Sequence, residues 1–291
     1  MNNKDLQSFA TNKIKLIKKN YVVIIGGNPS KTARSPKIWN YYFKKKKLDF
    51  EMIPVDTKKN KIKDLINFIE KDNSCYGGCI TVPFKEDVYN HLYKKNSVEK
   101  ITEKIGAINC VYKKNKKLIG ANTDGQAAID VFKKNFKISK KSKCLIFGYG
   151  GAGKAVAAYF NMHFKNNVFV TNKINNSKKL IKKNKLKFIE WENFSQYLHN
   201  FKIFVNCTIL GFDKNKRSPL IDSHFKHIKK NSAFFDVIYN PKITKFLKLA
   251  KINSGLILNG LDMNKFQAIL AIKKVINNEE IKKIEKVLSK F

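Results

Sequence analysis

Arginine is nearly absent from this chain. Only Arg34 and Arg217 stand among 59 basic residues, which face 22 Asp plus Glu, so the formal net charge of +37 is carried by lysine. A nucleic-acid binder would be expected to gather such charge into a basic arm or an aromatic-bearing RNA signature. Here the lysines are spread, as in Lys44 to Lys47, Lys94-Lys95 and Lys133-Lys134, and they accompany much Asn, Ile, Phe and Tyr, all read from A/T-rich codons. Drift of composition explains them better than a polyanionic partner does, and no specific nucleic acid is expected. Most should be solvated, with attraction for small anions as a side effect that salt screens beyond about 8 Å.

Other absences narrow the field further. No apolar run reaches 18 residues, so no membrane span is expected. The first 20 residues carry Lys4, Asp5, Lys13, Lys15 and Lys18 with no apolar centre, unlike a secretory signal, and a cytoplasmic location is expected. The five cysteines (Cys75, Cys79, Cys110, Cys144, Cys207) are odd in number and scattered, which suits buried reduced thiols rather than a disulfide framework. Cys75 and Cys79 lack a second pair at zinc spacing, and His224 and His227 lack an H-E-x-x-H frame, so no metal site is expected. No internal repeat or low-complexity linker is apparent, and 291 residues allow two domains of ordinary size.

What is present is an alternation of strand-like and helix-like runs along the whole chain, the pattern of an α/β architecture with parallel sheets. Strands are expected at 21–25, 50–55, 79–82, 109–112, 144–147, 168–171, 203–206, 233–237 and 256–259. Midway, Cys144-Leu145-Ile146-Phe147 runs into Gly148, Gly150 and Gly153 at G-x-G-x-x-G spacing, and Ala155, Ala157 and Ala158 suit a helix packed closely on the strand. Glycines there let the backbone turn sharply and approach a pyrophosphate seated on the following helix N-terminus. A purely structural Gly-rich turn is the plainer alternative for such a run alone. After the next strand comes Thr171-Asn172-Lys173, with Ser177 and Lys178 just beyond, where an NAD site would place an acid for the ribose 2′-OH. No carboxylate occupies that slot, which favours NADP, although Lys173 alone could be one more lysine in a lysine-rich chain.

Eight runs, in order, resemble the motifs of the shikimate dehydrogenase (shikimate/quinate dehydrogenase) family. They are Gly27-Asn28-Pro29 through Ser35-Pro36, Thr81 to Lys85, Gly106 to Asn109, Asn122 to Gly125, Gly148 to Ala152, Asn206 to Thr208 with Gly211, Asp236 to Tyr239 with Pro241 and Thr244, and Gly260-Leu261 with Gln267-Ala268. They cover the chain from about Tyr21 to the C-terminus. The resemblance implies two α/β domains: a substrate-binding domain of residues 1–123 plus 260–291, and a Rossmann-like NADP-binding domain of residues 124–259. It implies NADPH-dependent, reversible reduction of 3-dehydroshikimate to shikimate. Two rivals are weighed against it, a quinate/shikimate dehydrogenase using NAD and a catalytically decayed nucleotide-binding homologue. Ser35, Thr81 and the lack of an acid at Asn172 speak against the first, and retention of Lys85 and Asp124 against the second. The oligomeric state is not readable from the sequence, a homodimer being one option.

Carbonyl reduction by a nicotinamide needs a proton for the developing alkoxide. Lys85, after a Pro at a strand-to-helix turn, and Asp124, in a Thr-Asp-Gly turn, are the candidates. The resemblance makes Lys85 the acid/base and Asp124 its partner, and as neighbours they would titrate as a coupled pair. Substrate contacts carried over by match are Ser35, Thr81, Lys85, Asn109, Asp124, Tyr239 and Gln267. Hydroxyls and amides suit a polyhydroxylated ring acid. Cofactor contacts carried over are Gly148, Tyr149, Gly150, Gly151, Ala152, Asn172, Lys173, Val237 and Gly260. The chain also departs from the family pattern. Ala33 stands where the usual His-Ser-x-Ser-Pro has its first serine, Cys110 replaces a usual Thr, Lys173 a usual Arg, and Ser177 a second common cation. Ala33 puts substrate affinity in doubt, and Lys173 with Ser177 weakens the expected clamp on NADP.

Overall fold

A computed structural model describes residues 3–173, 181–182, 184–276 and 280–291. Two compact units divide the chain, Met1–Thr123 with Lys265–Phe291, and Asp124–Asn264.

The first unit is built on β1 (Asn20–Gly26), β2 (Phe50–Asp56), β3 (Cys75–Ile80), β4 (Cys110–Lys114) and β5 (Lys117–Ala121), ordered β2-β1-β3-β4-β5. Strand β1 shows why both faces are covered. Tyr21, Val23 and Ile25 enter one core, Val22 and Ile24 the other, as the two-residue side-chain period requires. Of helices α1 (Asn3–Gln7), α2 (Pro29–Thr32), α3 (Ser35–Lys45), α4 (Ile62–Lys71), α5 (Lys85–Tyr93) and α6 (Lys100–Ile105), α4 and α5 cover the first face, through Leu65, Ile66, Ile69, Val88 and Leu92. The second face is covered by α3 and by the chain's end, where Ala268, Ile269, Ile272, Ile284 and Leu288 join Ile38, Trp39, Tyr42 and Phe43. That packing is why the C-terminus belongs to the first unit.

The first sheet departs from the expected parallel order. β1 pairs in parallel with β2 and β3, but β3–β4 and β4–β5 are antiparallel. β4 and β5 are joined through Asn115 and Lys116, whose φ values of 50° and 65° make a two-residue hairpin turn. That turn lies inside a lysine run, which hid it and β5. β3 also starts earlier than expected and ends at Ile80, because Gly77 and Gly78 (φ 109° and 140°) are strand residues pressed on Val111 and Val23 rather than a turn. Thr81 and Val82 lie past the strand, ahead of Pro83, and Asn109 just before β4.

The second unit carries β6 (Cys144–Phe147), β7 (Val168–Asn172), β8 (Lys187–Glu190), β9 (Ile203–Asn206), β10 (Ala233–Asp236) and β11 (Leu256–Leu258), all parallel, in the order β11-β10-β9-β6-β7-β8. The chain winds outward from β6 through β7 and β8, then returns to β9 and winds the other way. This is the doubly wound, Rossmann-like order. One face is an aromatic core in which Phe204 and Phe234 stack at 5.0 Å beside Phe147, Phe194 and Phe246. Helices α7 (Asp124–Asn135) and α8 (Gly151–His163) pack together, with Phe132 against Phe160 at 5.1 Å. α9 (Lys245–Ile252) follows β10, α10 (Leu261–Ile276) begins in the second unit, and α11 (Ile281–Leu288) lies in the first. The chain passes to the first unit at Lys265 rather than at 260, because Gly260 is held on the second, its amide donating to the Ile238 carbonyl at 3.0 Å. Among the described residues no helix is long and apolar enough to cross a membrane.

Candidate active site

In open α/β sheets ligands bind beyond the carboxyl ends of the strands, where the winding direction reverses. In the first unit that point lies between β1 and β3, since β1 is flanked by β2 on one side and β3 on the other. The loops leaving these two strands carry Asn28 to Ser35 and Thr81 to Lys85. They are tied across by the Thr81 amide on the Ile25 carbonyl (2.8 Å) and the Gly27 amide on the Val82 carbonyl (3.0 Å). A Cβ at Gly26 would overlap the Thr81 side chain, so glycine is required for the loops to close on each other.

Ser35 is buried at the start of α3, with Pro36 in its first turn. The other hydroxyls of that loop are engaged locally. Thr32 Oγ1 donates to the Asn28 carbonyl at 2.9 Å, while the Ser30 amide (2.8 Å) and hydroxyl both donate to the Asp56 carboxylate. Lys85 opens α5 half-buried, and its carbonyl accepts the Ile108 amide at 2.9 Å. The next residue, Asn109, is buried within a hydrogen-bond network. Its Oδ1 accepts the Thr123 amide at 2.7 Å, its Nδ2 donates to Thr123 Oγ1 at 2.9 Å and to Gln267 Oε1 at 3.3 Å, and Thr123 Oγ1 donates to the Gln267 carbonyl at 3.1 Å. Ser35 and Thr81 thus sit on neighbouring loops of one unit, and Lys85 is linked through Ile108 to the Asn109–Gln267 network. Asp124, the residue after Thr123, is buried and opens α7 in the second unit. Tyr239, half-buried after β10, belongs to the second unit as well.

The second unit reverses its winding between β6 and β9. Gly148 (φ 91°) leaves β6 in a conformation only glycine adopts readily, and its Cα faces Thr208 and Cys207 from the β9 loop. A Cβ at Gly153 would overlap the Gly148 carbonyl, so α8 starts hard against the strand. Gly150, in contrast, faces open space at the N-cap of α8, and no side chain caps that helix end. Backbone N–H groups pointing into an uncovered space fit the pyrophosphate of a dinucleotide. Gly151 and Ala152 form the first turn beside them, and Tyr149 is buried, its hydroxyl receiving Asn184 Nδ2 at 3.5 Å.

The loops after β9 and β10 are pinned by one buried carboxylate. Asp236 accepts Thr244 Oγ1 at 2.6 Å, the Ile238 amide at 3.0 Å and Asn206 Nδ2 at 3.1 Å, while Asn206 Oδ1 accepts the Thr208 amide and hydroxyl. Burial pushes the Asp236 carboxyl up to about 6, against the downward pull of these bonds. Cys207 is pushed up by burial and by the carboxylates of Asp236 and Asp124. A Cβ at Gly260 would overlap the backbone of Val237, so these two cofactor candidates are in direct contact.

At the carboxyl end of β7, Asn172 closes the strand and Lys173 follows it, its ammonium 5.4 Å from the centre of the Trp191 ring. Trp191 was not among the residues singled out from sequence. Finding it requires β8, whose Lys187-Phe188-Ile189-Glu190 is flanked by charge and only partly buried, so it lacks the apolar run that marks β6 and β9. Ser177 and Lys178 lie outside the described residues.

The family model of the shikimate dehydrogenase substrate binding domain matches residues 25–111, the stretch that carries Ser35, Thr81, Lys85 and Asn109. A shikimate dehydrogenase (NADP+) from Clostridium botulinum is 33% identical over 240 residues, covering 82% of this chain and 90% of its own. Shikimate 5-dehydrogenase from Thermus thermophilus in complex with NADP(H) and shikimate superposes with a TM-score of 0.78 at 24% identity, covering 93% of this chain and 99% of that one. A quinate dehydrogenase from Corynebacterium glutamicum in complex with NAD superposes as well, with a TM-score of 0.79 at 19% identity over 94% and 99% of the chains. Likeness at that level fixes the fold and does not choose between these activities. Sequence identity over nine-tenths of the clostridial enzyme does more, and by it the chain belongs to the shikimate dehydrogenase family.

Proposed function

We propose that this protein is an NADP-dependent shikimate dehydrogenase, reducing 3-dehydroshikimate reversibly to shikimate in the pathway to chorismate and the aromatic amino acids. The observation that carries the reading is the network in which Asn109 holds both Thr123 and Gln267, with Lys85 tied to Ile108 on one side and Asp124 next in the chain on the other. That framework holds Asn109, Thr123 and Gln267 together within the first unit, with Lys85 bonded to it through Ile108. Bound NADPH supplies the hydride to the carbonyl carbon. Lys85 delivers a proton to the carbonyl oxygen as it gains negative charge, and in the oxidative direction removes it from the hydroxyl. Asp124 holds the lysine ammonium and a ring hydroxyl. Ser35 and Thr81 donate to the ring acid, and the Asn109 and Gln267 amides fix ring alcohols. Tyr239 completes the substrate contacts.

Gly148 to Ala152 would hold the cofactor's pyrophosphate, Val237 and Gly260 would add further cofactor contacts, and Asn172 with Lys173 would meet the 2′-phosphate. The lack of an acid at Asn172 supports NADP over NAD. The same reading makes the protein a cytoplasmic enzyme, which fractionation checks.

Initial rates with shikimate and quinate, each with NADP+ and NAD+, test the proposal. Shikimate with NADP+ should give the highest kcat/KM, and a preference for quinate with NAD+ would overturn it. In Lys85→Ala, kcat should fall by about 10² to 10⁴-fold, the usual worth of positioned proton transfer. NADP+ should still bind. Wild-type turnover by Lys85→Ala would remove the mechanism.

A further inference from the structure

Trp191 lies beside Lys173, the residue assigned above to the cofactor's 2′-phosphate. β7 and β8 pair in parallel with Asn172 opposite Glu190 as their last pair, so Lys173 and Trp191 are the first residues past the two strand ends. The Trp191 ring is half-buried, packed edge-on against Phe147 (6.2 Å), the last residue before the glycine turn, and against Phe194 (5.5 Å). These contacts fix the plane of the indole. The Lys173 ammonium lies over it, 5.4 Å from the ring centre and within the range of a cation–π contact. An exposed lysine otherwise samples many rotamers of a four-carbon stem, and each phosphate contact must bear the entropy of stopping that motion.

We propose that Trp191 is a specificity-determining residue for the cofactor. It acts as a positioning residue, holding the Lys173 ammonium ready for the 2′-phosphate and so favouring NADP over NAD. This rests on the NADP reading above. The indole contributes nothing to a cofactor that ends in a ribose hydroxyl, because the pre-placed charge then has no phosphate to meet. A cation–π contact at a partly exposed site corresponds to about two- to fivefold in affinity.

Calorimetric titration of the full-length protein with NADP+ and with NAD+ tests the assignment. In Trp191→Leu the Kd for NADP+ should rise about two- to fivefold while that for NAD+ moves less. Trp191→Phe, which keeps an aromatic face, should fall between the two and guards against a fold damaged by the leucine. Lys173→Ala should weaken NADP+ binding, and adding Trp191→Leu to it should cost nothing more, since the ring acts through the lysine. Equal loss for both cofactors, no loss, or additive losses in the double variant would each overturn the role of Trp191 and leave the NADP reading standing. A wild-type protein that binds NADP+ no more tightly than NAD+ would overturn that reading, and this inference with it.

Discussion

Ala33 stands in the loop before Ser35 where the motif resemblance implies a first serine, so one expected hydroxyl is missing there. The nearby hydroxyls cannot simply stand in, because Thr32 donates to Asn28 and Ser30 to Asp56. Ala33→Ser should therefore lower KM for shikimate by about tenfold or somewhat more, the worth of a hydrogen bond to a charged group, with kcat little changed. Thr32→Val should leave KM alone. If Thr32→Val raises KM while Ala33→Ser does nothing, the carboxylate is held through Thr32. A second residue-scale expectation concerns Asp236. Its carboxyl is held up at about 6 against an ordinary 3.8, so the folded state keeps the proton more tightly than the unfolded chain. The resulting stability is fully present below the unfolded value and is lost as pH rises through about 6. Relative to Asp236→Asn, which cannot titrate there, the wild type should lose about 2 kcal/mol between about pH 4.5 and about pH 7, the part of the shift that lies above pH 4.5. Urea unfolding of both proteins at about pH 4.5 and about pH 7 reads the difference, and parallel curves would refute the assignment.

Among the elements, the N-terminal segment was opaque in the sequence because its polar residues give no period. In the structure it lies along the edge strand β2. Asn12 Nδ2 donates to the Pro54 carbonyl at 3.0 Å and its Oδ1 accepts the Asp56 amide at 2.8 Å, while the Thr11 amide donates to the Asp56 carbonyl at 2.7 Å. Asn40 of α3 pairs with the amide and carbonyl of Met52 in the same way. Side chains thus occupy edge groups that could otherwise recruit another strand. Leu6 and Ile14 add to the core. Asp56 in turn holds Ser30, so this edge supports the loop that carries Ser35. Asp56→Ala should raise KM for shikimate several-fold and lower thermal stability, with kcat largely kept. A variant with unchanged KM would separate that loop from the edge. The elements that were legible are those whose burial is periodic or continuous, such as β1, β6 and β9. β5 and β8 were not, one behind a lysine-rich hairpin turn and the other a half-buried strand with a lysine and a glutamate at its ends. The motifs bearing Lys85, Asn109 and Asp124 were legible as types at fixed spacing, whereas the Asp236 network and Trp191 depend on strand register that spacing does not encode.

At the scale of the whole molecule the charge is the dominant fact. Even with every one of the 22 carboxylates paired, an excess of 37 positive charges would remain. The ion pairs of the described residues do little to offset it, since those such as Lys18–Asp49 (3.1 Å) and Lys133–Asp130 (3.5 Å) are substantially exposed to solvent. Self-repulsion of this kind destabilises a compact state, and the same field attracts anions such as the ring acid and the dinucleotide. Salt should then act with opposite signs on the two properties. Raising NaCl from about 20 mM to about 200 mM shortens the screening length from about 20 Å to below 10 Å. If about 1 kcal/mol of repulsion is relieved, Tm should rise by about 2–4 °C. Over the same range KM for both anionic ligands should increase, while kcat, set by groups already in contact, should change little. Differential scanning calorimetry and initial rates in the same buffers measure both. A Tm that falls with salt would mean that the paired carboxylates outweigh the lysine excess, and a salt-independent KM would mean that the excess charge does not reach the ligands.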